Sequence, residues 1–313
     1  MDEKRTSHIG MSGASRGLCW GGWWRWLGLS AAVLLACVAR GADPVPGAPP
    51  AAGAPPEYTF VVVADPHISQ VNKDGGPTGV ERWRHLMQVV LARPRAPEFM
   101  IIVGDLIPPT DPQTQQPDLS LLTAAAQRLP LYVVAGNNDS AKVREAFRKA
   151  FPEQFGERDF YSFVRHQSRF VMVCDAALGD HYGHLASESI RGQPQWAWLE
   201  SQLKRDGEAR RVFVFGHIPP HPTGADASMY LGLGDQKLLG ELVTRYTPEA
   251  LFFGHCHLRQ DFTLGSSPVH ILPSSHWNMQ GATPMFVEVS VFPDSIALEY
   301  VALAPPQTSN AKP

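Results

Sequence analysis

From residue 58 onward, short apolar runs alternate with stretches whose apolar residues recur every three or four positions. The runs at 60–64, 99–103, 131–135, 211–215 and 251–253 are rich in Val, Ile and Phe and lack polar alternation, a pattern that predicts strands buried on both faces. The periodic stretches at 80–91, 119–129, 143–151 and 196–203 predict amphipathic helices covering them. Ser140 is placed to cap one helix and Pro194 to open another in its first turn. Further strands are expected at 160–164, 170–173, 269–272, 285–291 and 295–301, the last two joined by the turn-forming Pro293-Asp294 into a closing antiparallel hairpin. The four prolines of 108–117 mark a surface loop. Together these elements predict an α/β domain with helices outside sheets.

The first 57 residues follow a different pattern. Lys4, Arg5, Arg16 and Arg25 lead into the apolar run 27–38, the order of an export signal. Three fates remain open for it: cleavage near Ala39-Arg40-Gly41, acylation at Cys37 in the lipobox-like Leu34-Leu35-Ala36-Cys37, or retention as an anchor. For the last, the run is shorter than the roughly 20 residues a spanning helix needs. Residues 42–56 are almost all Ala, Gly and Pro, too poor in apolar side chains to offset the entropy of ordering, and read as a tether. The expected organisation is a signal peptide, lipoprotein signal or anchor at 1–41, a linker at 42–57, one catalytic domain at 58–303 and a flexible tail at 304–313. The expected location is periplasmic or extracellular, with a membrane engaged only through a retained anchor or lipid.

Composition narrows the partners. The chain of 313 residues is 44% hydrophobic and 18% charged, which suits a globular domain, and its net charge of −3 comes without a Lys/Arg block along the body. The electrostatic footprint of a nucleic-acid binder is missing. Only Cys174 and Cys256 lie beyond the signal region, so a disulfide framework is not expected.

The candidate chemistry lies where the buried runs stop. Five of them end on a small residue followed at once by a group able to bind a metal: Ala64-Asp65-Pro66-His67, Gly104-Asp105, Gly136-Asn137-Asn138-Asp139, Gly216-His217 and Gly254-His255-Cys256-His257. Ligands of open α/β sheets sit beyond the carboxyl ends of the strands, so seven groups are expected to converge on one edge: Asp65, His67, Asp105, Asn137, His217, His255 and His257. Carboxylate and imidazole suit Zn, Mn or Fe, and a pair of such ions needs a bridging carboxylate. On an extended strand, side chains two apart face the same way, which would bring Asp65 with His67, and His255 with His257, to one centre. Cys256 between the latter should then point away as buried filler. A lone Asp or His at a strand end is ordinarily a turn residue; the ordered set of five endings carries the reading.

That set, Asp-x-His, Gly-Asp, Gly-Asn-x-Asp, Gly-His and Gly-His-x-His, resembles the calcineurin-like metallophosphoesterase superfamily over residues 58–301. Gln195-Trp196-Ala197-Trp198-Leu199 and Gly216-His217-Ile218-Pro219-Pro220 are similar to that family's usual surroundings. The resemblance implies a four-layer αββα sandwich of two mixed sheets flanked by helices. It implies two divalent or trivalent ions (Mn, Fe or Zn), with Asp65, His67 and His257 on one, Asn137, His217 and His255 on the other and Asp105 between them. It further implies hydrolysis of a small phosphate mono- or diester by a metal-bound hydroxide. Purple acid phosphatases are a poor match, because the Tyr they place after Gly-Asp is replaced here by Leu106-Ile107.

The sequence departs from the family at one position. Most members follow the liganding Asn with a His that protonates the leaving alkoxide; here the residue is Asn138, which donates hydrogen bonds but delivers no proton. His221 is the nearest replacement in sequence, with His181 and His184 next. The alternative is a non-catalytic or weakly active relative that binds a phosphorylated ligand. Asp139 is open to two readings, a cap for the following helix or a member of the site.

Overall fold

A computed structural model describes residues 55–69, 76–155, 158–177, 179–185 and 195–304. The segment expected to be an export signal, most of the expected linker, Pro194 and all but the first residue of the expected tail lie outside these residues. In chain order the first half comprises β1 (Tyr58–Val63), α1 (Gly79–Leu91), β2 (Met100–Val103), α2 (Ser120–Ala126), β3 (Leu131–Val134), α3 (Ala141–Ala150) and α4 (Pro152–Phe155). The second comprises β4 (Tyr161–Arg165), β5 (Ser168–Met172), α5 (Trp196–Leu203), β6 (Arg211–Phe215), α6 (Leu233–Tyr246), β7 (Ala250–Phe253), β8 (Gln260–Leu264) and β9 (Ser267–Ile271). The chain then returns to the first sheet with β10 (Met285–Val291) and β11 (Ile296–Ala302).

Two mixed sheets result, one of five strands in the order β11-β10-β1-β2-β3 and one of six in the order β4-β5-β6-β7-β9-β8. β1, β2 and β3 run parallel, as do β5, β6, β7 and β9, while β10–β11, β4–β5 and β8–β9 are antiparallel pairs. Side chains alternate across each strand, and the alternation sorts the apolar runs into layers. On β1, Val61 and Val63 join Trp83, Leu86 and Phe147 beneath the helices, whereas Phe60 and Val62 join Phe99, Phe170, Phe213, Phe215 and Phe252 between the sheets. On β6, Val212 and Val214 turn outward to Leu199 and Leu203 of α5 and Leu239 and Val243 of α6. Strands apolar on both faces are therefore sandwiched twice, and the αββα sandwich implied by the sequence is the fold observed.

The middle layer is held by aromatic pairs, with Phe60 and Phe99 centroids 5.1 Å apart and Phe215 and Phe252 5.3 Å apart. Ser140 caps α3 as expected, its hydroxyl accepting from the Val143 amide at 3.3 Å. The short α4 and two longer elements escaped the hydrophobic pattern. α6, the crossover from β6 to β7, buries only Gln236, Leu239 and Val243 and contains Gly234 and Gly240, so its apolar stripe is thin. β8 is an edge strand with no fully buried position.

Candidate metal centre

The strands stop just short of the residues that matter. β1 ends at Val63 and β7 at Phe253, so Asp65, His67, His255 and His257 are not alternating strand positions. They lie in turns with left-handed backbone, φ being 47° at Asp65, 40° at His67, 67° at His255 and 49° at His257; Asp105 joins them at 53°. The expectation that extended-strand alternation brings each pair together is thus corrected. L-residues avoid this region at a cost of order 1–3 kcal/mol each, and such strain persists where the surroundings fix it. Gly104, at φ 88°, lets two turns interlock: a Cβ there would lie 2.1 Å from Nδ1 of His217.

The turns bring six side chains into two groups with one shared member. Asp65, His67, Asp105 and His257 each offer a ligand atom within 4.8 Å of the others, and so do Asp105, His217 and His255; all are buried. Asp105 faces both ways, Oδ2 lying 3.9 Å from Nε2 of His67 and Oδ1 3.3 Å from Nε2 of His217. Within the first group, the Nε2 atoms of His67 and His257 are 3.1 Å apart, and Nε2 of His257 is 3.4 Å from Asp65 Oδ1. Asn137 joins the second group, its Oδ1 3.0 Å from Nε2 of His217.

Second contacts fix which ring nitrogen faces inward. Nδ1 of His217 donates to the Val103 carbonyl at 2.9 Å and Nδ1 of His257 to that of Trp277 at 2.8 Å. Each Nε2 is left as the inward donor atom, the arrangement metal-binding imidazoles use. Nε2 of His255 is buried without a hydrogen-bond partner, and buried polar atoms are seldom left so. Carboxylate oxygens, an amide oxygen and lone-pair nitrogens crowded into two groups around one carboxylate fit a pair of first-row divalent ions.

Electrostatics point the same way. Burial opposes the charge on Asp65, yet the imidazole of His257, followed by those of His217 and His67, holds its carboxyl well below the usual range. Burial likewise disfavours charge on His217 and His257, but Asp105 and Asp65 outweigh it at His217, and Asp65 at His257, so both pKa values are raised. His255 is pushed down to about 4, by burial and then by His217. The centre is thus a buried carboxylate pair that draws positive charge.

Several supporting residues gave no signal in the sequence. Asp175 follows β5 and is fully buried; both of its oxygens accept from the His217 amide at 3.0 Å, and Oδ1 also from Ile218 at 3.2 Å. It has the form of a strand-end acid, but no glycine precedes it. Arg144 of α3, which reads as a solvent-facing helix residue, is buried instead; it donates to the carbonyls of Asp139 at 3.0 Å, Gly136 at 2.7 Å and Ala176 at 2.9 Å. Its charge is matched by Asp159 at 3.8 Å. Ser274 donates to the Asp65 carbonyl at 2.8 Å, and the Trp277 ring lies 4.2 Å from that of His257.

The reading of Asp139 as the helix cap does not hold. Ser140 is the cap, and the Asp139 carboxylate ties two turns together, accepting from the Gly136 amide at 2.8 Å and the Ile107 amide at 3.0 Å. Asn138 is exposed and donates from Nδ2 to Asp105 Oδ2 at 2.6 Å, while its amide donates to Oδ1 at 2.9 Å. The contacts of His221 lie within its own surroundings: Nδ1 accepts from Thr223, and its ring meets that of Tyr230 at 4.4 Å. Cys256 is a buried free thiol pushed up to about 12 by burial, with Sγ 3.5 Å from the Met229 carbonyl.

The fold and this centre agree with comparison to known proteins. The family model of the calcineurin-like phosphoesterases matches residues 58–259, and the chain belongs to that family. No curated protein sequence matches it. A dimetal phosphatase from Danio rerio is similar in structure, with TM-score 0.62 at 15% identity over 80% of this chain and 97% of that one. GAP50, the anchor in the inner membrane complex of Plasmodium, is similar with TM-score 0.54 at 12% identity over 78% and 84%. At these identities the likeness is one of fold.

Proposed function

We propose that this chain is an exported phosphoesterase that hydrolyses small phosphate mono- or diesters with two metal ions. The observation that carries the reading is Asp105, whose two carboxylate oxygens face two separate groups of buried ligand atoms. In this reading Asp65, His67 and His257 would hold one ion and Asn137, His217 and His255 the other, with Asp105 available to both. Two such ions supply Lewis acidity at both the attacking and the leaving oxygen of a phosphoryl displacement. The dimetal phosphatase of the same fold supports it.

The chain's own part is positioning. Val103 and Trp277 hold the imidazoles of His217 and His257 with Nε2 inward, and Asn138 restrains the rotation of Asp105 through its paired donors. Asn138 also presents an exposed amide at the rim, able to donate to a phosphoryl oxygen but not to protonate a leaving group. His221 is the sequence-based candidate for that proton. Esters with good and poor leaving groups, compared in wild type and His221→Ala, test it: an unchanged ratio removes His221 from the reaction.

Export rests on the order of charge, apolar run and tether in residues 1–57. Elemental analysis of the purified protein, followed by a phosphoester panel with Mn, Zn and Fe, tests the whole reading; two metals per chain and turnover of at least one ester class are expected. Asn138 favours a second reading, a phosphate-binding member without turnover. Loaded protein that binds phosphate yet hydrolyses neither mono- nor diesters would select it.

A further inference from the structure

The loop after β5 contributes a histidine outside the seven. The ring of His181 lies 5.5 Å from that of His255, tilted by 34°, and unlike His255 it is exposed to solvent. It is not a stray side chain on a loose loop. The carbonyl of His181 accepts from the Met229 amide at 3.1 Å, and Gly183 donates to Tyr230 at 3.1 Å and accepts from Gly232 at 3.0 Å. The same loop is tied to the centre itself, Gly179 donating to the Asn137 carbonyl at 2.8 Å and His184 to that of Asp175 at 2.8 Å. Residues 179–185 are therefore braced between a candidate ligand on one side and the 229–232 segment on the other.

Two exposed polar side chains thus flank the Asn137–His217–His255 group: Asn138, which hydrogen-bonds to Asp105, and His181, whose ring borders His255. A phosphoryl group brought to that half of the centre from solvent meets both. An imidazole carries at least one N–H in either neutral tautomer, so the contact does not depend on its charge. We infer that His181 is a substrate-contacting residue that donates a hydrogen bond to a non-bridging phosphoryl oxygen opposite Asn138. This rests on the phosphoesterase reading and deepens it: His181 recognises the phosphoryl group, a role separate from the proton delivery for which His221 is the candidate.

The test uses the full chain loaded with Mn, as wild type, His181→Ala and His181→Gln. Metal content is measured by elemental analysis, inorganic phosphate affinity by calorimetry, and kcat and KM on aryl phosphate mono- and diesters. The Ala variant keeps both metals while phosphate affinity and kcat/KM fall about tenfold to a hundredfold, the worth of a hydrogen bond to a charged group. Gln, which retains an N–H donor, restores part of the loss. Wild-type affinity and kcat/KM in the Ala variant overturn the inference alone, and so does metal loss in step with phosphate, which would make His181 a support for His255. Wild-type protein that neither binds phosphate nor turns over an ester contradicts the phosphoesterase reading and this inference with it.

Discussion

The two halves of the centre share Asp105 but are built differently. In the first, Asp65, His67 and His257 all have left-handed backbone, and the rings of Trp277 and His276 close on it, His276 lying 6.0 Å from His67. In the second, only His255 of the three is so strained, and the flanking side chains Asn138 and His181 are open to solvent. The first half is fixed by its backbone and bordered by rings; the second is fixed by Asp175 and Arg144 and flanked by the exposed side chains of Asn138 and His181.

The change expected to break this comparison most completely is Asp105→Asn, since it removes the charge common to both halves. Metal content falls below two per chain, and kcat/KM falls at least about a hundredfold, the scale of losing one electrostatic group from a preorganised site. Elemental analysis and steady-state kinetics on one preparation check both. Asp175→Asn separates the halves, because its side chain supports only His217 and Ile218. Affinity for the second ion should weaken about tenfold to a hundredfold, as for other supporting residues, while the first ion is retained on dialysis.

A third expectation concerns pH. Asp65 and Asp105 raise the pKa of His217, and Asp65 that of His257, so in the metal-free protein each imidazole keeps its proton to a higher pH than usual. An entering cation must displace those protons, so metal affinity falls as pH drops below the raised pKa values, about tenfold per unit for each proton displaced. Proton release on metal addition, followed in weakly buffered solution, checks the sign. The smallest effect is expected from Cys256→Ala. The thiol lies between two candidate ligands in sequence but faces the Met229 carbonyl, so metal content and turnover should stay at wild-type values.

Much of this was legible in the chain because each of the five motifs that supply the seven groups opens with a glycine or alanine at the end of a buried run, a local signal that needs no knowledge of the fold. The reason they converge was not legible. Alternation on an extended strand would bring His255 and His257 together, but the chain does it with left-handed turns, and φ leaves no mark in the pattern of side chains. Asp175 lacked a preceding glycine, and Arg144 reads as surface because charge in a helix is ordinarily solvated; both are buried for partners remote in sequence. α6 escaped because its buried face is carried by three residues. His181 had no motif, and only its distance from His255 distinguishes it from the other loop histidines.

The central claim is that one carboxylate joins two cation positions. A crystal structure of the metal-loaded protein, with anomalous difference maps at the metal edge, tests it directly. Two peaks about 3.5 to 4 Å apart, each touched by one oxygen of Asp105, with His67 and His257 on one and His217 and His255 on the other, are predicted. A single peak, or two with Asp105 turned away from either, would contradict it.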